Sequence, residues 1–309
     1  MRTGKSFLLA ATVTSVVFLL FGIGTLSAKA DKPDPHKPVS ATDTVLVEKI
    51  SLHGGQPRGA TGGQKRVGAA TGFLGEVCDG RRYAIVVGIS NYPGSANDLQ
   101  YAAKDALDMA GVLKDTYGFN SITTLTDKAA TRSAILNTIA TVQGQARAED
   151  EVVFFFSGHG MNGVADDGDT EKVDEAIVAN DASNPFKLAP IWDGELRRAF
   201  SGFQTSRIIF IFDTCMAGGM DDLQAPGRVI LAASTERGYA YEGPEWGNGE
   251  FTYYLTGGIA TGDANIHNYG YGVLVPPQVT AEEAFDYAKA NCTADNPVIV
   301  DSFTNDLLP

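Results

Sequence analysis

The chain has 309 residues, 44% of them hydrophobic and 20% charged, so it can bury a sizeable core without disulfide or metal support. Its formal net charge of −13 argues against a nucleic-acid partner, because an acidic surface repels phosphate backbones. Its three cysteines are too few for a disulfide-rich scaffold, and they do not have the Cys/His spacing of a structural zinc site.

Residues 1–30 predict an export signal. Arg2 and Lys5 precede an uncharged apolar stretch that ends at Ala28-Lys29-Ala30, a small-x-small pattern of the kind a signal peptidase reads. The stretch is also long enough for an uncleaved membrane anchor, which is the alternative. Either interpretation puts the rest of the chain outside the cytoplasm, secreted, periplasmic or anchored at the cell surface, with membrane contact confined to residues 1–30.

Export bears on the cysteines, since disulfides persist in oxidising compartments. We expect Cys78 and Cys292 to pair there, a bond that would join the two ends of the domain that follows. Cys215 would then remain as the free thiol.

Residues 31–80 are rich in proline and glycine and contain one short apolar run, at 45–47. Too little apolar surface is available to offset the chain entropy of folding. The composition predicts a flexible pro-segment or linker, followed by a folded domain over 81–309.

Strand and helix patterns alternate from residue 82 onward. Apolar runs without alternation are typical of strands buried on both faces; they cover 83–89, 122–125, 151–156, 207–212 and 228–231. Apolar residues at three- and four-residue spacing predict helices over 99–113, 131–143 and 193–200. This order predicts an α/β fold, a three-layer α/β/α sandwich with a mostly parallel central sheet. Ligands of such sheets bind at the carboxyl ends of the strands.

Reactive side chains follow two of those strands directly. Ser157-Gly158-His159-Gly160 leaves the third strand, and Asp213-Thr214-Cys215 leaves the fourth. Parallel strands end at one edge of a sheet, so we expect His159 and Cys215 to lie side by side. A thiol needs a base to attack a carbonyl group, which predicts Cys215 as nucleophile and His159 as general base. The backbone N–H groups of Gly160 and Cys215 are candidates for stabilising the oxyanion.

These motifs resemble those of the caspase/gingipain/legumain group of cysteine peptidases, and most closely the metacaspases and their bacterial relatives, the orthocaspases. The likeness runs from about residue 82 to residue 303. Further segments carry it: Leu99-x-x-Ala-x-x-Asp105-Ala106, Asp167-Gly-Asp169, Asp174-Glu175-Ala176, Ile191-x-Asp193-Gly-Glu195-Leu196, Gly249-Glu-Phe251-Thr-Tyr253 and Thr280-Ala-Glu-Glu-Ala-Phe285. The resemblance implies the caspase–haemoglobinase fold and a cysteine endopeptidase that needs no cofactor for its chemistry.

Two departures from the metacaspase pattern follow the cysteine. Met216 and Ala217 stand where metacaspases usually have His-Ser, but the histidine of Ser-Gly-His-Gly is retained. The linker to the next strand is short, residues 221–227, which predicts a single-chain enzyme. The Met216-Ala217 departure favours an alternative, a caspase-like binding or scaffold module whose dyad is unused.

Asp213 is a candidate for the specificity pocket. Side chains two apart in an extended segment face the same side, so Asp213 points toward the cleft of Cys215. A like charge disfavours a thiolate, which makes this carboxylate better suited to bind a basic substrate side chain. The resemblance implies that Asp105 completes the pocket and that peptides or proteins are cut after Arg or Lys. Asp or Asn specificity, as in caspases and legumains, is the alternative within the enzyme class.

The resemblance to calcium-dependent metacaspases implies Asp174, Asp193 and Asp222 as candidate Ca²⁺ ligands. Carboxylate oxygens from separate loops suit this hard cation. Gly194 replaces the second acid that the family has beside Asp193, which predicts weaker affinity. The alternative is that these are solvated acids on an acidic protein.

Basic residues in the segment 31–80 match the proposed pocket. Arg58 and Arg66 lie in glycine-rich surroundings just ahead of the first core strand. A short tether gives them a millimolar-scale effective concentration at the chain's own cleft. We therefore expect a pro-segment that the enzyme cuts after Arg58 or Arg66, the alternative being an inert spacer.

Overall fold

The long apolar runs of the sequence form strands, as predicted. The computed structural model describes residues 68–167, 172–181, 189–267 and 278–309. Its longer strands are β1 (Arg82–Gly88), β2 (Ser121–Thr126), β3 (Glu151–Ser157), β4 (Gly160–Gly163), β5 (Asp174–Ala179), β6 (Ala189–Trp192), β7 (Ile208–Asp213) and β8 (Arg228–Ala232). The described residues also contain a hairpin of two short strands, β9 (Glu242–Gly243) and β10 (Asn248–Gly249). The last strand is β11 (Val298–Asp301).

Five α-helices accompany these strands in the described residues. They are α1 (Ala102–Asp115), α2 (Arg132–Gln145), α3 (Asp193–Ser201), α4 (Glu250–Thr261) and α5 (Ala281–Asn291). The first three agree with the sequence-based helices to within a few residues. In the described part of the chain, no helix combines the length and apolarity needed to cross a bilayer.

The central sheet has six strands in the order β11-β8-β7-β3-β1-β2. All neighbours pair in parallel except β11, which runs antiparallel to β8. The most central strands are buried along their whole length, because helices cover both faces of the sheet.

Two apolar cores separate the three layers. Alternate side chains of β3 serve each of them: Phe154 belongs to the core under α2 and α3, whereas Phe155 belongs to the core under α1, α4 and α5. This α/β/α arrangement confirms the fold class that the sequence predicted. The site-bearing edge is therefore the one at which β1, β3 and β7 end.

A second sheet was not predicted. Strands β4, β5 and β6 form an antiparallel sheet that begins directly after the histidine motif. These strands have at most six residues, and local patterns this short do not distinguish strand from loop.

The residues just before β1 pack on the domain. The Asp286 carboxylate accepts hydrogen bonds from the N–H groups of Ala69 and Ala70, and the Asp306 carboxylate accepts them from Thr71 and Gly72. The ordered domain therefore begins before the boundary expected at residue 81. The predicted export signal and the candidate processing sites at Arg58 and Arg66 lie outside the described residues.

Candidate active site

His159 lies just after β3, and polar contacts hold both its backbone and its ring. Its backbone N–H donates to the Tyr92 hydroxyl at 2.9 Å, and the two aromatic rings lie 4.7 Å apart between centroids. Its ring Nε2 is 2.8 Å from the carbonyl oxygen of Asn97. A carbonyl can only accept, so Nε2 carries the proton and Nδ1 is the basic nitrogen of the neutral ring.

Cys215 follows β7, whose last residue pairs in register with the last residue of β3. The Thr214 hydroxyl donates to the Gly158 carbonyl at 2.7 Å, which ties the two turns together. A Cβ atom added at Gly160 would overlap the Cys215 carbonyl oxygen. The histidine and cysteine segments thus meet backbone to backbone, as the strand order predicted, and Gly160 is required for this approach.

The cysteine turn is tight. Met216 adopts a left-handed conformation with φ of 60°, which is uncommon for a residue with a side chain. Its N–H donates to the Gly238 carbonyl at 2.8 Å, and the N–H of Ala217 donates to the Ser234 hydroxyl at 3.1 Å. These two amides are therefore committed to holding the turn. The Cys215 thiol is half-buried and lies 3.9 Å from the Ala240 carbonyl oxygen.

The N–H of Gly160 points away from β5. In the β4–β5 ladder, Val178 N–H donates to the His159 carbonyl, while Gly160 lies directly opposite Ile177. In an antiparallel ladder this pattern makes Gly160 and Ile177 a pair that does not exchange hydrogen bonds. The Gly160 amide is thus directed to the side opposite β5.

Asp105 and Asp213 converge on one glycine. Gly249 N–H lies 3.1 and 3.2 Å from the two carboxylate oxygens of Asp105, and a Cβ there would overlap the Asp213 carboxylate. Asp105 also accepts from the Ser157 hydroxyl at 2.8 Å and from the Asn248 side chain at 2.9 Å. The two acids chosen from the sequence are brought together, whereas the contributions of Ser157, Asn248 and Gly249 were not predicted.

Further acids surround this pair. Asp213 accepts from the N–H and hydroxyl groups of Thr252, at 3.0 and 2.6 Å. Behind it, Glu250 accepts from the Thr293, Ala294 and Asp295 amides, and Asp295 accepts from Tyr241 and Phe251. These acids were missed because their partners are distant in sequence, and no local motif marks them.

Burial and mutual repulsion shift the titration of these acids. Burial, followed by the charge of Asp213, raises the pKa of Asp105 to about 8. Burial raises the pKa of Asp213 to about 6, although its hydrogen bonds from Thr252 oppose the shift, and Glu242 and Glu250 add repulsion. Hydrogen bonds, rather than a cation, oppose both shifts.

A second acidic group lies at the start of β5. Oxygens of Asp167, Asp174 and Asp193 all lie within 4.8 Å of one another, and all three residues are buried. Among the described residues, Asp167 Oδ1 has no hydrogen-bond donor. Burial raises the pKa of Asp193 to about 8, and neighbouring Asp167 contributes to the shift. Three converging carboxylates with this deficit fit a hard divalent cation.

The membership of this group differs from the sequence-based set. Asp222 is not part of it: its Oδ2 lies 3.6 Å from Arg197 Nε, one helical turn along α3 from Asp193. Asp167 takes a place instead, and its Oδ2 accepts the Gly194 N–H at 2.9 Å. Gly194, which replaces the family's second acid, was the sequence feature that could have indicated a carboxylate from another loop.

The expected disulfide between Cys78 and Cys292 is wrong, since both thiols are free. Cys78 lies before β1, and its thiol is 3.5 Å from the Glu149 carbonyl oxygen at the start of β3. Cys292 follows α5, and its thiol lies within 4.8 Å of carboxylate oxygens of Glu250 and Asp295. Cys78 therefore lies near the amino end of β3, whereas Cys292 lies near the acids beside Asp213, at the carboxyl end of the strands.

The raised pKa of Asp105 predicts a pH-dependent stability. Between about pH 4 and pH 8 the native state holds a proton that the unfolded chain releases, so the free energy of unfolding falls as pH rises. Urea unfolding of Cys215→Ala at several pH values should show this slope, and adding Asp105→Asn should reduce it by up to about 1.4 kcal/mol per pH unit.

Asp115→Asn is the matched control, since it removes an exposed carboxylate at the other end of α1. It should leave the slope unchanged. Equal slopes with Asp105 and with Asn at position 105 would contradict the assigned shift.

Comparison with known proteins agrees with this geometry. The caspase domain of the C14 peptidases matches residues 81–271. Metacaspase-1 of Scheffersomyces stipitis is 29% identical in an alignment that covers 47% of this chain and 38% of that protein. Metacaspase-1 of Saccharomyces cerevisiae strain S288c is 32% identical, over 47% of this chain and 35% of that protein. The chain thus spans little more than a third of these relatives.

A solved structure has the same fold. Protein GSU0716 from Geobacter sulfurreducens superposes with a TM-score of 0.55 and 19% sequence identity, over 74% of this chain and 95% of that one. The family match extends across the histidine motif, the cysteine motif, Asp105 and Asp213. The chain therefore belongs to the caspase-domain family of cysteine-type endopeptidases.

Proposed function

We propose that this protein is a cysteine endopeptidase that cuts peptide bonds after Arg or Lys, with Cys215 and His159 as its dyad. The observation that carries the proposal is the convergence of Asp105 and Asp213 on Gly249, at the sheet edge where the histidine and cysteine turns meet. Peptides and proteins with a basic residue before the cleaved bond are its substrates.

The chemistry follows from the two turns. His159 Nδ1 takes the thiol proton of Cys215, and the sulfur attacks the substrate carbonyl. The N–H groups of Gly160 and Cys215 donate to the resulting oxyanion. The imidazolium returns its proton to the leaving amine, and water then hydrolyses the acyl-enzyme with His159 again as base.

The specificity follows from the buried acids. A guanidinium or ammonium group close to Asp105 and Asp213 would favour the ionised form of both acids, with release of the proton that Asp105 holds in the free enzyme. An Arg–carboxylate contact contributes about 1.5–3 kcal/mol, which corresponds to a preference of about ten- to a hundredfold over neutral side chains. An Asp side chain would add a further negative charge to the same cluster, which disfavours caspase-like specificity.

Fluorogenic peptides with Arg, Lys, Asn or Asp before the leaving group test both parts. Cys215→Ala and His159→Ala should each lower kcat by at least about a thousandfold while the far-ultraviolet spectrum stays native. Asp213→Asn should lower kcat/KM by about ten- to a hundredfold for Arg and Lys only. Asp115→Asn should match the wild type; turnover of Arg peptides by Cys215→Ala would contradict the dyad.

A calcium ion is proposed as a structural or regulatory cofactor, outside the chemical step. Asp167, Asp174 and Asp193 would hold it, and their converging oxygens support this. The group is connected to the active site through β5, which starts at Asp174 and whose Val178 N–H donates to the His159 carbonyl. An ion there would fix the strand against which the histidine turn pairs.

Calorimetric titration of Cys215→Ala with CaCl₂ tests the ligand set without depending on activity. Asp167→Asn should weaken calcium binding by at least about tenfold, since one charged ligand of three is lost. Asp222→Asn should change it less than about threefold. A larger effect from Asp222, or no heat of binding in the parent protein, would overturn the set.

Residues 31–80, exported behind the signal at residues 1–30, are proposed to be a pro-segment that the enzyme cuts after Arg58 or Arg66. The hydrogen bonds from Ala69 and Ala70 to Asp286 support this, because they fix residues 69–70 on the domain and so keep Arg58 and Arg66 attached close to it in sequence. Incubated wild-type protein should yield a new amino terminus after one of these arginines. Cys215→Ala should stay intact; uncut termini in both would favour the spacer.

A further inference from the structure

One loop holds His159 from two sides. We define the histidine loop as residues 89–101, between β1 and α1. It contributes the Tyr92 hydroxyl, which accepts from the His159 N–H, and the Asn97 carbonyl, which accepts from the ring Nε2. The Tyr92 hydroxyl also donates to the Val178 carbonyl at 3.1 Å. The position of this loop thus sets both the backbone and the ring orientation of the histidine.

The first end of the histidine loop is held by Asp127, which follows β2. Its Oδ1 accepts from the N–H groups of Ser90 and Asn91, at 2.9 and 2.8 Å, and its Oδ2 accepts from the Asn91 side chain at 2.9 Å. Asp127 has a φ of 49°, a left-handed conformation that Asp and Asn tolerate better than most residues. All three hydrogen bonds point at the loop.

The second end is held by Glu242, in β9. Its Oε1 accepts from the Gln100 N–H at 2.7 Å, and its Oε2 accepts from the Tyr101 N–H at 2.9 Å. These amides precede α1 and have no partner within that helix, so the carboxylate both caps α1 and fixes the end of the loop. Glu242 pairs directly opposite Gly249, the glycine between the two pocket acids.

We propose that Asp127 and Glu242 are positioning residues that clamp the histidine loop and thereby hold His159 with Nε2 on Asn97 and Nδ1 available to Cys215. The inference rests on the proposed dyad. Neither carboxylate touches the reacting atoms; each acts through the loop. Hydrogen bonds to an ionised acceptor are about twice as strong as neutral ones, so carboxylates suit a clamp on backbone amides.

The loop's own contacts do not replace the clamp. Within it, Tyr92 N–H donates to the Asp98 carboxylate at 3.0 Å and Leu99 N–H donates to the Ser90 carbonyl at 2.8 Å. These bonds close the loop on itself. Its first end is also tied to β3, because Ile89 N–H donates to the Ser157 carbonyl, and to the Asn180 side chain, which donates to the Asn91 carbonyl at 2.7 Å. Asp127 and Glu242 hold main-chain N–H groups at the two ends, so loss of either would loosen that end and let the Asn97 carbonyl move relative to the imidazole.

The test uses Asp127→Asn and Glu242→Gln, alone and combined, in the full chain. Nitrogen-15 spectra of labelled histidine should show His159 as the Nε2–H tautomer in the wild type and as a mixture in each variant. With an Arg peptide, kcat should fall by about ten- to a hundredfold, the cost of a displacement on the order of 1 Å. Asp127→Asn should leave KM within about threefold.

Glu245→Gln is the control, because it removes an exposed carboxylate from the same hairpin turn. It should keep the wild-type tautomer and kcat. If Asp127→Asn does not fold, Asn91→Ala removes one arm of the same clamp and takes its place. A fall in kcat with an unchanged tautomer, or no change in either, would overturn the proposal. Failure of the wild type to cut any peptide would instead contradict the proposed function, because the spectra still report on the clamp.

Discussion

The site depends on one backbone contact, between the turn after β3 and the turn after β7. The parallel register places Ser157 opposite Asp213, and the absence of a side chain at Gly160 lets the Cys215 carbonyl approach. Since the contact is between main chains, it fixes the two turns independently of side-chain rotamers. The histidine and the cysteine inherit their proximity from it, whereas the β4–β5 ladder sets the direction of the Gly160 amide.

Electrostatics set the second constraint. Asp105, Asp213, Glu250 and Asp295 are buried within one region, and each is stabilised mainly by backbone amides or hydroxyl groups rather than by a cation. Such donors lower the pKa values of the carboxyl groups, but burial, followed by mutual repulsion, outweighs them and raises the pKa values of Asp105 and Asp213. This cluster of acids supports the proposed preference for a basic substrate side chain.

The antiparallel sheet β4–β5–β6 joins the acidic group at Asp174 to the catalytic edge. One strand, β5, starts at that group, donates to the His159 carbonyl through Val178, and receives the Tyr92 hydroxyl on the carbonyl of the same residue. Three residues of paired backbone thus connect the start of β5 to the residue that contacts the histidine. The histidine loop and β5 both support His159, and the Tyr92 hydroxyl links these two supports to each other.

Sequence by itself determined the parts that depend on local pattern. Apolar runs and helical spacing predicted the α/β/α layers, and strand ends identified His159, Cys215 and Asp213, because parallel strands must finish at one edge. Asp105 came from family resemblance. Only the tertiary structure placed Asp167 rather than Asp222 in the acidic group and showed that Cys78 and Cys292 do not form the expected disulfide. It also brought Glu242 into contact with the histidine loop. These contacts join residues far apart in the chain, and no local periodicity records which distant loops a fold brings together.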